Sequence, residues 1–596
     1  MVYAARQTTP KAIPTHMFTR ETLSARWTRA RNRIAARRAA LTLAPAEFTM
    51  PPEPRCIGCL ARGQQICAGR FVVAGHLLDT TTTEIWDIVP LDAGFAAELH
   101  GFGWLDDLAA VADRAAQERA QHWTWGWIAR YGAGSGPGWT PDLAGRRLIR
   151  WMSHAEFLLR GQSPAAARQY FRALARQASF LRRRWSAAPP GLPRLNALTG
   201  LIQAGGSLKG RQGLAAVAGA ALSRACARQI DEGGVVPSRN PEELLEVFTL
   251  LTSAARALSD AGFPVEDAHW RAVERIAPTL RTLRHADGGL ARFHGGGRGL
   301  DGRLDGALAT SGVKSRRSGG MAMGFARLGG GRTSVIVDAA APPAGAASEY
   351  AHASTLAFEL TSGRRPLIVS CGSGARFGAD WRRAGRATPS HSALVLDSGS
   401  SARLSHDARH PDRLSDAPRH VPARVLQTAH GLRFEGAHDG YLRAHGLTHM
   451  RNLDLSADGR ALAGEDMLRA VDVADRHRFD RLRRASYPRG VPFDIRFHLH
   501  PEVATVLDPG GAAVSVTLRS GEIWVFRADG QTALSLQPSV YLEKTQVAPR
   551  ASEQIVLSGH VLDHATRIRW SLAKSDDTPV GIRDVAEALP NPVTED

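Results

Sequence analysis

The spacing of apolar residues in this sequence changes once, near Gly319, and this change restricts the possible folds more than any other feature. From Leu99 to His285, at least seven stretches have apolar residues at helical spacing, separated by short connections rich in glycine and proline. From Gly319 to about Ala573, short alternating runs such as SVTLRSGEIWVFRA are bounded by turn residues. The order predicts an array of helical hairpins followed by an antiparallel β-sandwich.

The same change divides the chain into regions. Residues 1–68 are rich in arginine and proline, and we expect a basic, partly disordered segment. Residues 69–310 hold short strands and loops followed by the helices, and residues 311–596 hold the sandwich. The glycine- and arginine-rich stretch 295–320 predicts an exposed loop between the two domains.

The charge of the chain indicates an anionic partner, because the formal net charge is +18 at pH 7. Nucleic acid, an anionic membrane surface and an acidic polysaccharide all fit, and the alternative is arginine spread over ordinary solvated surface. No DNA-binding motif is present, so no specific nucleic-acid partner is expected. No apolar run approaches the ~20 residues of a membrane span, so no transmembrane segment is expected.

Residues 20–41 have the pattern of a basic amphipathic helix. Leu23, Trp27, Ile34 and Leu41 fall near one face, and arginines occupy the others. Such a helix can bind a membrane surface or serve in targeting, and a solvated helix or a disordered tail is the alternative. The N-terminus shows no apolar core of a secretory signal.

Cysteine spacing gives little support for a structural zinc site. Cys56, Cys59 and Cys67 lie in CIGCLARGQQIC, but no second cysteine pair or histidine pair follows at zinc-finger spacing. The five cysteines of the chain do not indicate a disulfide framework either.

The stretch from Ser348 to Asp397 carries a family resemblance. Its pieces AHASTLAFEL and LIVSCGSG, a loop rich in tryptophan and arginine, and HSALVLD resemble the C-terminal domain of the heparinase II/III family of polysaccharide lyases. Further pieces, from GFGWLDDL near Phe102 to QIVLSG, extend the resemblance over most of the chain. It implies an α+β multidomain fold, an incomplete α/α toroid over 69–310 followed by an antiparallel β-sandwich over 311–596.

The function that this resemblance implies is cleavage of an acidic, uronate-containing polysaccharide by β-elimination. The reaction needs a base for the C5 proton and donors that neutralise the enolate-like charge on the sugar carboxylate. The alternative is a catalytically degenerate protein that binds glycans on the same fold. The family also implies the periplasm, whereas the lack of a visible signal peptide leaves a cytoplasmic location open.

Two stretches of the helical region supply candidate site residues. Arg239 and Asn240, in SRNPEELLE, would grip the sugar carboxylate, with Asn240 a catalytic residue, or Asn240 would only cap the following helix. His285, in RHADGG, is a second candidate for substrate binding, and the alternative is a charge–dipole contact at a helix end.

The sandwich supplies the remaining candidates. His352, with Tyr350 or His391, would transfer the proton, and Trp381 and Arg382 would contact the substrate. In some family members two histidines and a carboxylate hold a zinc ion, which implies His352 and His391 as zinc ligands in this chain.

Several residues depart from the family pattern. Val235 and Val236 stand where a histidine usually follows the DGG-like turn, and Phe325 lacks the hydroxyl of the tyrosine found in relatives. Ser370 and Cys371 stand where a third zinc ligand would be needed, and serine is a poor one. These departures favour the degenerate alternative.

Overall fold

The protein changes from helix to strand where the sequence changes period, as a computed structural model of the chain shows. None of the described helices is both long enough and apolar enough to cross a membrane. Residues 1–22 of the predicted N-terminal segment lie outside the described part of the chain. The described residues are 23–42, 47–49, 53, 56–315, 320–407, 409–546, 548–576 and 578.

The described part of the N-terminal segment contains regular structure. Its amphipathic stretch is helical over Leu23–Ala39, as its pattern predicts, and a second helix and a hairpin follow. The stretch EIWDIVPL, in the region where short strands and loops were expected, forms turns and bends. The elements are α1 (Leu23–Ala39), α2 (Leu60–Cys67), β1 (Arg70–Val73) and β2 (His76–Asp79).

The helices of the toroid begin at residues that cap them. The side chains of Asp92, Asp113, Ser163 and Asn240 each accept a hydrogen bond from a first-turn N–H, and proline stands in the first turn of several helices. The helices are α3 (Ala93–His100), α4 (Gly103–Val111), α5 (Arg114–Tyr131), α6 (Pro141–Ser153), α7 (Ala155–Leu159), α8 (Pro164–Arg184), α9 (Leu192–Ser207), α10 (Gly213–Gln229), α11 (Pro241–Asp260) and α12 (Asp267–Thr282).

Helices α6 and α9 pack with their backbones in direct contact. A Cβ added to Gly145 would lie 2.3 Å from the carbonyl oxygen of Asn196, and one added to Gly200 would lie 2.7 Å from the carbonyl oxygen of Gly145. The contact therefore requires glycine at both positions. Helix α1 contacts α8 and buries small residues such as Ala35 and Ala36.

The connection between the domains is not the exposed loop we predicted. Helix α13 (Arg303–Ser311) lies within it, and Gly296 and Gly297 are buried. The carboxylate of Glu242, in the first turn of α11, accepts a hydrogen bond from the N–H of Gly297 (2.8 Å) and pairs with Lys544 of the sandwich. A Cβ added to the neighbouring Gly296 would lie 2.5 Å from Oδ1 of Asn240, so the packing of the linker inside the domain interface requires glycine at this position.

The sandwich consists of two large antiparallel sheets, a separate two-stranded sheet and short helices. Its helices are α14 (Ala379–Ala384), α15 (Leu442–His445) and α16 (Val473–Ser486). Its strands are β3 (Met321–Ala322), β4 (Phe325–Gly330), β5 (Thr333–Asp338), β6 (Phe358–Ser362), β7 (Arg365–Val369), β8 (Leu394–Leu396), β9 (Arg403–Leu404), β10 (Leu414–Asp416), β11 (Ala423–Thr428), β12 (Gly431–His438), β13 (Thr448–Ser456), β14 (Ala461–Arg469), β15 (Val491–Leu499), β16 (Ala504–Leu507), β17 (Ala513–Thr517), β18 (Ile523–Ala528), β19 (Ala533–Tyr541), β20 (Arg550–Val561) and β21 (Ala565–Lys574).

The order of strands places β21, the last strand of the described residues, inside a sheet. One sheet runs β19-β20-β15-β7-β6-β5-β4-β3, with β8 also paired to β15. The other runs β11-β12-β13-β14-β21-β18-β17-β16, so β21 lies between β14 and β18. Aromatic side chains fill the space between the sheets; Phe358 stacks on Trp570 at 5.8 Å between ring centroids, and Phe497 meets the same ring at 4.8 Å.

Candidate functional site

A group of buried polar side chains lies between the toroid and the sandwich, with an ion pair at its centre. Arg239 precedes α11, and its Nη2 is 2.6 Å from Oδ1 of Asp338, the last residue of β5. The other guanidinium N–H groups donate to backbone carbonyls, including those of Met323, Gly324 and Ala341. The guanidinium of Arg239, predicted to bind a sugar carboxylate, thus donates its hydrogen bonds to groups of the protein itself.

Three histidines lie beside this ion pair. Nε2 of His294, in the linker, is 3.3 Å from Oδ2 of Asp338, and its Nδ1 accepts the backbone N–H of His352 at 3.2 Å. The rings of His352 and His391 are 5.0 Å apart between centroids. His294 is 1% exposed, and His352 and His391 are not exposed at all.

Burial keeps these histidines neutral. Desolvation, and then neighbouring histidines, lower the pKa of His391 to about 3 and that of His352 well below its ordinary value. Desolvation also lowers the pKa of His294, although Asp338 acts in the opposite direction. Burial opposes the ionisation of Asp338, but Arg239 and then His294 hold its pKa below the usual range. At neutral pH the group therefore contains one ion pair among neutral imidazoles.

Three of the predicted residues meet around Gly295 of the linker. The N–H of Gly295 donates to Nε2 of His352 at 2.9 Å. A Cβ added to this glycine would lie 3.2 Å from Cβ of Tyr350 and 3.7 Å from Nδ2 of Asn240. Oδ1 of Asn240 accepts the first-turn N–H groups of Glu242 and Glu243, so this side chain caps α11 while its amide faces Gly295.

The other predicted substrate-binding residues lie partly at the surface. Tyr350 is 58% exposed and Trp381 is 37% exposed. The guanidinium of Arg382 lies 4.9 Å from the centroid of the Tyr350 ring and is 3.1 Å from the carboxylate of Asp412. His285 is instead buried, with Nδ1 3.1 Å from the hydroxyl of Ser334.

The histidines predicted as zinc ligands fit a metal ion poorly. Nε2 of His352 already accepts the N–H of Gly295, and Nδ1 of His391 lies 3.1 Å from the hydroxyl of Ser370. The remaining nitrogens, Nδ1 of His352 and Nε2 of His391, are buried without a hydrogen-bond partner. Among the described residues, no third histidine, cysteine or carboxylate lies within 4.8 Å of both. We therefore derive no zinc-dependent step.

Several central residues of this group were missed by sequence analysis. His294 lies just before the stretch 295–320 that was predicted as an exposed loop. Asp338 ends the apolar run SVIVD, and a carboxylate after a buried strand was the sequence signal that could have identified it. Arg386 donates to the carbonyls of Ser348 and Ala351, and so fixes the segment that carries Tyr350 and His352.

Solved structures show the class of protein that this fold defines. Heparinase III superposes with a TM-score of 0.63 at 12% identity, over 91% of this chain and 89% of that chain. A mutant of heparan sulfate lyase HepC from Pedobacter heparinus superposes with a TM-score of 0.54 at 14% identity, over 94% and 92%. The chain thus has the polysaccharide-lyase architecture of a helical toroid followed by a β-sandwich.

Sequence comparison identifies the family. Residues 312–571 match the family described as Heparinase II/III-like, C-terminal. FtsZ-localized protein C of Caulobacter vibrioides is 31% identical over 535 residues, which cover 88% of this chain and 90% of that protein. This chain belongs to the heparinase II/III family, and the predicted family and fold class are confirmed.

Proposed function

We propose that this chain is a catalytically degenerate member of its family, which binds an acidic glycan and does not cleave it. The observation that carries the proposal is the complete burial of His352 and His391. A base for β-elimination must come within hydrogen-bond distance of the sugar C5 proton. Neither imidazole ring is accessible from outside the protein.

The chemistry of neighbouring residues supports the same conclusion. With its pKa lowered to about 3, His391 is a weak base at neutral pH. Phe325 is fully buried, 4.8 Å from its ring centroid to the Arg239 guanidinium, and has no hydroxyl that could protonate a leaving group. Arg239 itself is held by Asp338.

One arrangement favours the lyase alternative. Asn240, Tyr350 and His352 meet around Gly295 and would offer an amide donor, a hydroxyl and an imidazole. In a β-elimination these groups would neutralise the uronate carboxylate and transfer the C5 proton. Gly295, however, already donates to the Nε2 that a base would use.

The proposed glycan-contact surface consists of Tyr350, Trp381 and Arg382. Two exposed aromatic rings can pack against sugar faces, and the guanidinium can form charge-assisted hydrogen bonds with carboxylate or sulfate groups. Arg382 is positioned by the carbonyl of Glu349, to which its Nη2 donates at 3.0 Å. The surface is therefore ordered before any ligand arrives.

We expect no unsaturated uronate product when the protein is incubated with a panel of acidic polysaccharides, because the buried histidines cannot reach the C5 proton. Ultraviolet absorbance of the product, with an active lyase as positive control, measures this. Calorimetric binding of the same panel should weaken about tenfold in Trp381→Ala. The matched control is Trp270→Ala, because Trp270 is 42% exposed on α12. A rise in absorbance that His352→Ala abolishes would establish a lyase instead.

Helix α1 favours a second binding function. Leu23, Trp27 and Ile34 are 77%, 69% and 53% exposed, and the helix contains no acidic residue. An arginine-rich helix with exposed tryptophan and aliphatic side chains is suited to an anionic membrane surface. Because a relative is FtsZ-localized, we also propose that this chain localises with FtsZ.

The substitution Trp27→Glu should reduce binding to vesicles of phosphatidylglycerol and phosphatidylcholine about tenfold, because it removes an interfacial aromatic ring and adds a negative charge. Co-sedimentation measures the bound fraction. Trp270→Glu, which makes the same change on another exposed tryptophan, should bind as the unchanged protein does. Equal binding by all three proteins would contradict a role for α1.

A further inference from the structure

A polar pocket lies within the toroid, apart from the histidine group. Helices α6 and α11 form its walls, and Asn196 of α9 and Arg303 of α13 also face it. Cys56 and Ile57 of the N-terminal segment lie at its side. The pocket contains about 630 Å³ of empty space, including its open mouth.

Part of the charge in the pocket is already balanced. Nε of Arg150 is 2.7 Å from Oδ2 of Asp106, and its Nη1 donates to the carbonyl of Gly101 at 2.9 Å. Nε2 of His154 is 2.9 Å from the other carboxylate oxygen of Asp106. These contacts use both carboxylate oxygens of Asp106 and balance its negative charge, so Asp106 does not need a bound cation.

The remaining charged groups are not balanced. Arg146 of α6 and Arg303 of α13 face the pocket, and neither guanidinium lies within ion-pair distance of a described carboxylate, although the charge of Arg303 acts on Glu242 of α11. Nε of Arg146 is buried without a hydrogen-bond partner. Glu246 of α11 also lines the pocket and has no ion pair within the described part of the chain. Two guanidinium groups against one carboxylate give the pocket an excess of positive charge.

Buried donors without acceptors destabilise a fold unless a ligand or solvent satisfies them. A guanidinium matches carboxylate and phosphate oxygens, because its N–H groups point in parallel. We propose that this pocket binds a small anionic ligand whose carboxylate or phosphate group contacts Arg146 and Arg303. Glu246 then accepts hydrogen bonds from hydroxyl or amino groups of the same ligand. Both features describe an acidic sugar or a sugar phosphate.

A metal ion is the competing occupant. Ligand atoms of Cys56, Asp106 and His154 lie within 4.8 Å of one another, and Cys56 and Asp106 line the pocket. However, Arg150 and His154 already contact the two carboxylate oxygens of Asp106. Burial raises the pKa of the Cys56 thiol to about 12, which disfavours the thiolate that a metal ion would need. The nearby arginines also repel a cation. The geometry therefore favours an anion.

The test is calorimetric titration of the full chain with glucuronate, glucose 6-phosphate and glucose. We expect one or both acidic probes to bind and glucose to bind at least about tenfold more weakly, because only the acids can pair with the guanidinium groups. Arg146→Gln and Arg303→Gln should each weaken binding about tenfold or more. Glu246→Gln should strengthen it, because a like charge is removed while the glutamine carbonyl oxygen still accepts hydrogen bonds from the ligand hydroxyl groups. Arg224→Gln, on the exposed face of α10, is the matched control.

The two acidic probes distinguish a carboxylate-binding from a phosphate-binding pocket, and either result supports the proposal. Failure of both acids to bind the unchanged protein would overturn it. Binding that persists in both arginine variants would overturn it too. A separate titration with Zn²⁺ that gives tight binding lost in Cys56→Ser would assign the pocket to a metal ion instead.

Discussion

Replacing Asp338 by alanine should lower the free energy of unfolding by about 3–5 kcal/mol. The change leaves the Arg239 guanidinium buried without its counter-charge, and it also removes the acceptor of the Ser354 hydroxyl (2.7 Å). A buried charge without a partner is far less stable than the same charge in water. Urea unfolding, followed by tryptophan fluorescence and by circular dichroism, gives the free energy.

A surface ion pair supplies the control for this experiment. Arg433 and Asp454 also approach closely, at 2.7 Å, but both side chains are more than a third exposed. Asp454→Ala should therefore change the free energy of unfolding by only about 0–1 kcal/mol. If Asp338→Ala lowered the free energy of unfolding no more than this control does, the buried charge of Arg239 would not need Asp338 as its counter-charge, contrary to what the structure indicates.

Lowering the pH from 7 to 5 should destabilise the folded protein by about 4 kcal/mol through His100 and His391 alone. Burial is the main cause that lowers both pKa values to about 3; Arg147 adds to it at His100, and His498 at His391. In the unfolded chain a histidine titrates near 6.5. Between pH 6.5 and about 3, these histidines are protonated in the unfolded state but neutral in the folded state. Their contribution to the free energy of unfolding is therefore complete above about pH 6.5 and is lost as the pH falls toward about 3.

Urea unfolding at the two pH values measures this loss. His391→Gln removes one titrating group and should reduce the loss by about 2 kcal/mol, because one fewer proton is bound on unfolding. His430→Gln replaces an exposed histidine and should leave the loss unchanged. A loss that is the same in all three proteins would mean that His391 is not kept neutral by burial.

Local patterns predicted the elements of this fold because their causes are local. Apolar residues at helical spacing and capping residues such as Asn240 fix the toroid helices, and alternation fixes the strands. The prediction of an exposed linker was wrong because the surroundings of this segment are set by residues distant in the sequence. Glu242 and Lys544 enclose Gly297, and glycine content alone cannot distinguish a mobile loop from a close backbone contact.

The candidate site was predictable only in part for the same reason. The resemblance pointed to Asn240, Tyr350 and His352, and the structure brings these three together at Gly295. The burial of His352 could not be predicted, since it arises from contacts across the domain interface such as the hydrogen bond from Gly295. The ion pair of Arg239 with Asp338 joins residues 99 positions apart, and no spacing rule connects them.

The position of β21 has a consequence for how the protein is made. This strand is near the C-terminal end of the chain, yet it joins β14 to β18 in the interior of the eight-stranded sheet. The ribosome therefore synthesises β14 and β18 before β21, which pairs with both. Until β21 is made, the unpaired edges of β14 and β18 can pair with strands of other chains. Nascent chains of this protein should need chaperone protection until β21 has been synthesised, and a stop codon before β21 would divide the sheet in two.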